Sequence, residues 1–376
     1  MRPKDFSRRR HFPGTEGGPF DLVLRGAALV ESIPSTIFAV LLLLLALLPT
    51  RLRWRRALEF YAFLLGDWAL LATLPRLGKS FGPAKPPALA LASLRTIPAP
   101  LPRALALLAQ FIGTALVVYG FWIEPHRLGV TRQRLHSPKL EAGPPLRVLH
   151  LGDLHLERIT GRERRLIALA KSLAPDLILF SGDFLSYSCV HDPVAWEEAR
   201  AVFRELSAPL GVFAVTGSPP VDEPEVVARL LRDLPICWLR DERITLEYHG
   251  QMFDVIGLTC THKPFEDGPR LRALIDGRSE RFTILLYHTP DLAPEASGAG
   301  VDLQLSGHTH GGQVRLPFYG ALYTSSLYGK RFESGRYQIG GLTLSVTRGI
   351  GLEGKGAPRV RFLCPPEIVL WEISTC

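Results

Sequence analysis

One arrangement, repeated along the second half of the chain, constrains the fold more than any other feature. A short apolar run of β-strand character stops at a loop that carries a carboxylate or an imidazole. Leu146–Leu151 ends in Gly152-Asp153-Leu154-His155, and 176–180 ends in Ser181-Gly182-Asp183. The run 281–286 ends in Tyr287-His288-Thr289-Pro290-Asp291, and 303–306 in Gly307-His308-Thr309-His310-Gly311-Gly312-Gln313. A further run, 211–215, ends in Thr216-Gly217. Between the first two, Gly161–Leu173 carries Leu166, Ile167, Leu169, Ala170 and Leu173 at helical spacing. Strands alternating with helices, each strand ending in a polar loop, predict α/β layering with a site at the strands' carboxyl edge.

Two carboxylates (Asp153, Asp183) and four imidazoles (His155, His288, His308, His310) thus converge from four strand ends. Such a mixture suits a pair of divalent cations, Mn, Fe or Zn. The cysteines Cys189, Cys237, Cys260, Cys364 and Cys376 are odd in number, scattered and never in a CxxC pair. They argue against a thiolate knot or a disulfide framework and favour a reducing compartment. A carboxylate shared by two ions holds them at about 3.5–4 Å, a spacing suited to in-line displacement at phosphorus by a cation-activated water.

Asp153-x-His155, Gly182-Asp183, His288 and Gly307-His308-Thr309-His310 together resemble the calcineurin-like metallophosphoesterases, and the likeness runs over 146–376. Gly311-Gly312-Gln313-Val314, Tyr328 to Tyr337, Val360-Arg361-Phe362 and Pro365-Pro366-Glu367-Ile368 look like the membrane-associated branch. That branch includes bacterial phosphodiesterases and a UDP-2,3-diacylglucosamine diphosphatase. The resemblance implies a four-layer α-β-β-α sandwich over 141–376. It also implies that Asp153, His155 and His310 ligate a first metal, Asp183 bridges, and His288 and His308 ligate a second. Asp183, His288 and His308 would carry the catalytic roles of water activation and phosphoryl clamping.

One departure stands out. Where the family has Gly-Asn-His-Asp/Glu, this chain reads Gly217-Ser218-Pro219-Pro220. The family's Asn is a second-metal ligand and its His a charge stabiliser and acid. Ser218 is a shorter, poorer replacement ligand, and Pro219 has no side-chain donor. Losing a positioned acid removes about 10²–10⁴-fold of rate. His262, in Thr261-His262-Lys263, is a candidate to replace the lost imidazole; its plainer reading is a loop histidine.

The N-terminal third is of another kind. Residues 1–140 hold 19 Lys and Arg against 7 Asp and Glu, whereas 141–376 hold 25 against 29. Apolar stretches near 33–49, 57–75 and 104–123 lie among these basic residues, predicting two or three transmembrane helices ahead of the catalytic domain. The cluster Arg51-Leu52-Arg53-Trp54-Arg55-Arg56 follows the first stretch and reads as a cytoplasmic stop rather than a signal-peptide cleavage site. The expectation is a multi-pass inner-membrane protein with a cytoplasmic catalytic domain.

The acidic balance of the second part argues against nucleic acid as a partner. No Gly-x-Ser-x-Gly elbow surrounds Ser181 or Ser218, and no Gly-x4-Gly-Lys loop occurs, so serine-hydrolase and P-loop readings fall away. At most three spans leave too little to form a transport path. His150 reads as a packed core residue, and His191 and His249 as ordinary loop histidines. Arg158, Arg162, Arg164 and Arg165 read as a solvated basic helix face or an anionic head-group contact. Tyr328 and Tyr337 read equally as sheet packing or groove lining. The leading expectation is a membrane-anchored phosphoesterase acting on a phosphodiester or pyrophosphate, with a lipid-linked substrate such as UDP-2,3-diacylglucosamine. The competing one is a degenerate domain that binds a phosphorylated lipid or a partner as a membrane scaffold.

Overall fold

The computed structural model describes residues 119–275, 280–352 and 359–375, with 112, 113, 115, 116 and 118. The spans expected at 33–49 and 57–75, and most of that at 104–123, lie outside these residues. Among the described residues no helix is long and apolar enough to cross a membrane. The end of the third stretch, Tyr119–Ile123, is a π-helical turn.

The strands are β1 (Gly129–His136), β2 (Leu146–Leu151), β3 (Leu177–Phe180), β4 (Val212–Ala214), β5 (Cys237–Trp238), β6 (Glu242–Tyr248), β7 (Gln251–Gly257), β8 (Thr283–Leu286) and β9 (Leu303–Ser306). After them come β10 (Arg315–Leu316), β11 (Gly320–Ala321), β12 (Gly335–Ile339), β13 (Leu342–Val346) and β14 (Glu367–Ser374). The helices are α1 (Gly161–Leu173), α2 (Pro193–Arg204), α3 (Pro224–Leu231), α4 (Pro264–Ile275) and α5 (Ala293–Ala299). Two six-stranded sheets form, in the orders β1-β14-β2-β3-β4-β5 and β12-β13-β9-β8-β7-β6; β10 and β11 make a separate hairpin. The inner strands β2, β3 and β4 run parallel, as do β7, β8, β9 and β13. The first sheet begins upstream of the expected boundary at 141, because β1 pairs along its whole length with β14.

Alternation along each strand creates the layers. In β2 and β3, Val148, Leu177 and Leu179 face Val255, Ile284, Leu286, Leu303 and Leu305 of the other sheet. Their neighbours Leu149, Leu151, Ile178 and Phe180 pack against α1, α2 and α3 through Leu166, Ala170, Ala199, Phe203 and Leu230. On the far side Ile256, Leu285 and Leu344 pack against Leu271 of α4 and Ala293 and Ala296 of α5. The result is the expected α-β-β-α order. Helix α1 occupies the residues its spacing predicts, and a capping box between Thr160 and Glu163 fixes its start. Parallel inner strands send β2, β3, β8 and β9 to end on one rim, and there the polar loops meet.

Candidate metal centre

The chain reaches this rim through strained backbone. Asp153, His155, Asp183, His308 and His310 have φ of 50°, 40°, 59°, 71° and 49°. Non-glycine residues are uncommon in this left-handed region and concentrate where function over-determines the backbone. Two glycines make room: a Cβ on Gly217 would stand 2.2 Å from Asp183 Oδ1, and one on Gly307 2.2 Å from Asp153 Oδ2.

Two clusters result. Asp153, His155, Asp183 and His310 offer one donor atom each within 4.8 Å of one another, and so do His262, His288 and His308. In the first, His155 Nε2 and His310 Nε2 approach to 3.0 Å, and His310 Nε2 lies 3.9 Å from Asp153 Oδ1. Asp183 links the clusters. Its Oδ2 is 3.3 Å from His155 Nε2 and 3.3 Å from His288 Nε2, while its Oδ1 accepts from the Ser218 amide at 2.6 Å. His288 Nδ1 is 2.9 Å from the Ser181 carbonyl, which only accepts, so Nδ1 carries a proton and Nε2 is the ring nitrogen turned inward. Ser218 Oγ donates to Asp183 Oδ2 at 3.3 Å and lies 3.1 Å from His288 Nε2 and 3.3 Å from His308 Nδ1. All six sequence-predicted ligands and Ser218 therefore meet at one place. Pro219 brings no polar side chain to it.

Burial sets the charges. It pushes Asp153 up to about 6, opposed in part by His288. Burial alone would also raise Asp183, but His288 and His155 hold it well below the usual carboxylate range. His288 goes the other way: desolvation is outweighed by Asp183, and the ring is raised to about 9. His308 and His310 are held well below an ordinary imidazole, first by burial and then by the neighbouring imidazoles, with Arg361 adding to the effect at His310. Cations bind neutral imidazoles and ionised carboxylates, so an ion held by His288 and Asp183 would displace the proton that their pairing favours on His288. Asp153 Oδ2 is buried without a hydrogen-bond partner. A buried carboxylate oxygen left so is costly unless a cation takes the place of water. The residues present therefore fit a pair of divalent ions.

The family model for calcineurin-like phosphoesterases matches residues 146–312. The metallophosphoesterase YkuE of Bacillus subtilis is 30% identical over 267 residues, covering 68% of this chain and 89% of its own length. The chain belongs to the calcineurin-like metallophosphoesterases. This metallophosphoesterase is a hydrolase acting on phosphoric ester bonds. It is also 27% identical to the phosphodiesterase YaeI of Escherichia coli, over 68% of this chain and 92% of the relative. With the UDP-2,3-diacylglucosamine pyrophosphatase LpxG of Chlamydia trachomatis it shares 27% identity over 67% of this chain and 91% of that one.

The metallophosphoesterase also places beside this centre residues that motif reading passed over. Asp222, buried beyond the Pro-Pro pair, accepts from the amides of Gly217 at 2.6 Å, Asp183 at 2.7 Å and Phe184 at 3.1 Å. It clamps the Ser218 loop to the Asp183 loop, and burial with the nearby Asp183 charge pushes it up to about 7. Being a carboxylate soon after the loop that follows β4 was its only sequence signal. Arg361 is fully buried behind His310 and donates to the carbonyls of Gly351, Cys364 and Arg348. The Val360-Arg361-Phe362 motif marked its position but gave no role.

Elsewhere the plainer readings hold. His150 is buried against Ser181 Oγ at 3.1 Å, and Tyr328 and Tyr337 pack around Phe332. Arg162 departs from the solvated-face reading: it is buried in an ion pair with Glu163 at 2.7 Å. Of the described cysteines, Cys260 and Cys364 are buried, Cys189 is half-buried and Cys237 is exposed, all as free thiols.

Proposed function

We propose that this chain is a two-cation phosphodiesterase or pyrophosphatase working at a membrane on a lipid-linked substrate such as UDP-2,3-diacylglucosamine. The observation that carries the two-cation reading is Asp183 Oδ2, equidistant at 3.3 Å from a ring nitrogen of each cluster. Asp153, His155 and His310 would hold one ion, His288 and His308 the other, and Asp183 both. Bound there, the ions would supply Lewis acidity toward phosphoryl oxygens and a water acidic enough to ionise near neutrality. The chain's own part is orientation. The Ser181 carbonyl fixes the His288 tautomer, the Ser218 amide pins one oxygen of Asp183, and the His308 amide donates to Asp153 Oδ1 at 2.9 Å.

Two observations support the finer choice of substrate. LpxG, whose name specifies UDP-2,3-diacylglucosamine, is among the relatives. In addition, the segment leaving the His310 motif exposes Leu316, Phe318, Tyr319 and Tyr323, an apolar tip suited to acyl chains at a bilayer surface. A nucleotide monophosphate leaving group also departs with little need of the acid that Pro219 cannot supply. The test is release of UMP from UDP-2,3-diacylglucosamine by the purified full chain with Mn²⁺ or Zn²⁺. UMP release supports the reading. Cleavage of an aryl phosphodiester with no UMP release contradicts the lipid substrate. The Ser218-Pro219-Pro220 loop favours one other reading, a binding scaffold, which predicts retention of the lipid with no turnover of either compound.

A further inference from the structure

We propose that His262 takes the place of the family's asparagine and completes a nitrogen-rich second cation site with His288 and His308. The proposal rests on the two-cation reading and departs from the family's ligand set.

Three observations carry it. One ring nitrogen of each of the three histidines lies within 4.8 Å of the others, and the His262 ring centre stands 4.7 Å from that of His308 and 6.2 Å from that of His288. His262 Nε2 is shielded from solvent yet has no hydrogen-bond partner. A buried ring nitrogen without a partner bears a desolvation cost that a bound cation would remove. Finally, His262 has φ of 61°, the same left-handed backbone as the five ligands named above.

The fold invests in that placement. Asp267, buried in α4, accepts from the Thr261 amide at 3.0 Å and from Thr261 Oγ1 at 2.7 Å. The same carboxylate accepts from Tyr287 OH at 2.5 Å, and Tyr287 directly precedes His288. One buried anion therefore ties the loop carrying the first imidazole to the strand end carrying the second. The two rings stack at an interplanar angle of 11°. Ser218 Oγ, within 3.3 Å of both His288 and His308, is too short to replace an amide oxygen but sits where it steadies the two rings.

Replacing an oxygen donor with an imidazole alters selectivity. Three imidazoles beside one carboxylate suit Zn²⁺ or Fe²⁺ better than Mn²⁺ or Mg²⁺. The first cluster, with two carboxylates and two imidazoles, is the less selective of the two.

The test is cation stoichiometry and affinity in the full chain, stripped by chelator and titrated separately with Zn²⁺ and Mn²⁺, read by elemental analysis and calorimetry. The wild type is expected to take two Zn²⁺, the second more tightly than a second Mn²⁺. His262→Phe keeps the ring packing but removes the donor. It should leave the first ion unchanged and weaken the second at least about tenfold, the scale of a lost supporting group at a metal site. Adding Ser218→Asn to His262→Phe should restore the second ion. A His262→Phe variant that still binds two ions with unchanged affinity overturns the proposal, as does one whose metal binding is intact while only its pH–rate profile moves. A wild type that saturates at one ion or none overturns the two-cation reading itself, and with it this assignment.

Discussion

The two halves of the centre are made differently from the same fold. Asp153, His155, Asp183 and His310 all lie within four residues of the end of a central parallel strand, and each draws its position from that strand. His288 and His308 share that origin, but the third imidazole of their half comes from the loop after β7, held by Asp267 of a neighbouring helix. By the resemblance to the family, the first half carries the expected residues, whereas in the second Ser218 and Pro219 stand where an asparagine and a histidine are expected. Ser218 lies four residues past β4, as His155 does past β2, so a strand-end position does not by itself preserve its ligand; another loop with its own anchor can reach the same space.

The largest effect should come from the residue the halves share. Asp183→Ala is expected to abolish occupancy by a pair of ions and to lower phosphodiesterase turnover by at least about 10³-fold. Retention of two ions per chain in that variant would remove the basis for calling the halves one centre. A contrast within the pair comes next: His155→Ala should cost the first ion and His308→Ala the second. Each is expected to lower turnover on the order of 10²-fold or more, and elemental analysis should find one ion per chain in either variant.

Asp222→Asn should have a smaller effect, because Asp222 touches loops rather than cations. It leaves three amides less well satisfied and is expected to lower turnover about 10–100-fold, with both ions still bound in excess metal. Weaker still is Ser218→Asn in the otherwise natural chain. If His262 already fills the ligand position, the second-ion affinity should change less than about threefold, well short of the tenfold or greater loss of a lost support. A large gain would mean that the second half is crippled rather than rebuilt.

The smallest effect on the centre belongs to a residue outside it. Asp254 is buried in β7 and receives Arg243 Nη2 at 2.6 Å and Thr245 Oγ1 at 2.7 Å. Although burial alone would raise it, these donors hold its carboxyl below the ordinary value. Its contribution to stability is therefore complete above the ordinary carboxylate range near 4 and is lost as pH falls through the lower folded-state value. Asp254→Asn should cost about 1–3 kcal/mol at neutral pH. It should flatten part of the acid-unfolding slope in chemical denaturation and leave metal content unchanged.

Sequence alone made the first half legible for a physical reason. A parallel strand buried on both faces reads as an unbroken apolar run, and the loop that ends it must turn, so Gly-Asp, Asp-x-His and Gly-His-Thr-His stand out beside such runs. The span of α1 followed from its helical spacing, whereas the layer order was what the resemblance to the family implied. Asp222, Arg361 and Asp267 did not stand out, because each acts through contacts with segments distant in the chain. His262 drew notice as a spare imidazole and was weighed as a replacement for the missing acid. Only the fold brings it beside His288 and His308, where it reads as a ligand. Strand β1 did not stand out either, since it has half-exposed, charged faces and is positioned by pairing with β14, more than 200 residues later.

The central claim, two cations sharing Asp183, is tested most directly by electron paramagnetic resonance of the full chain loaded to saturation with Mn²⁺. Two ions at about 3.5–4 Å through a common carboxylate should give an exchange-coupled spectrum at two Mn²⁺ per chain, collapsing to isolated-ion signals in Asp183→Asn. A saturated wild type showing only magnetically isolated Mn²⁺ would contradict the account.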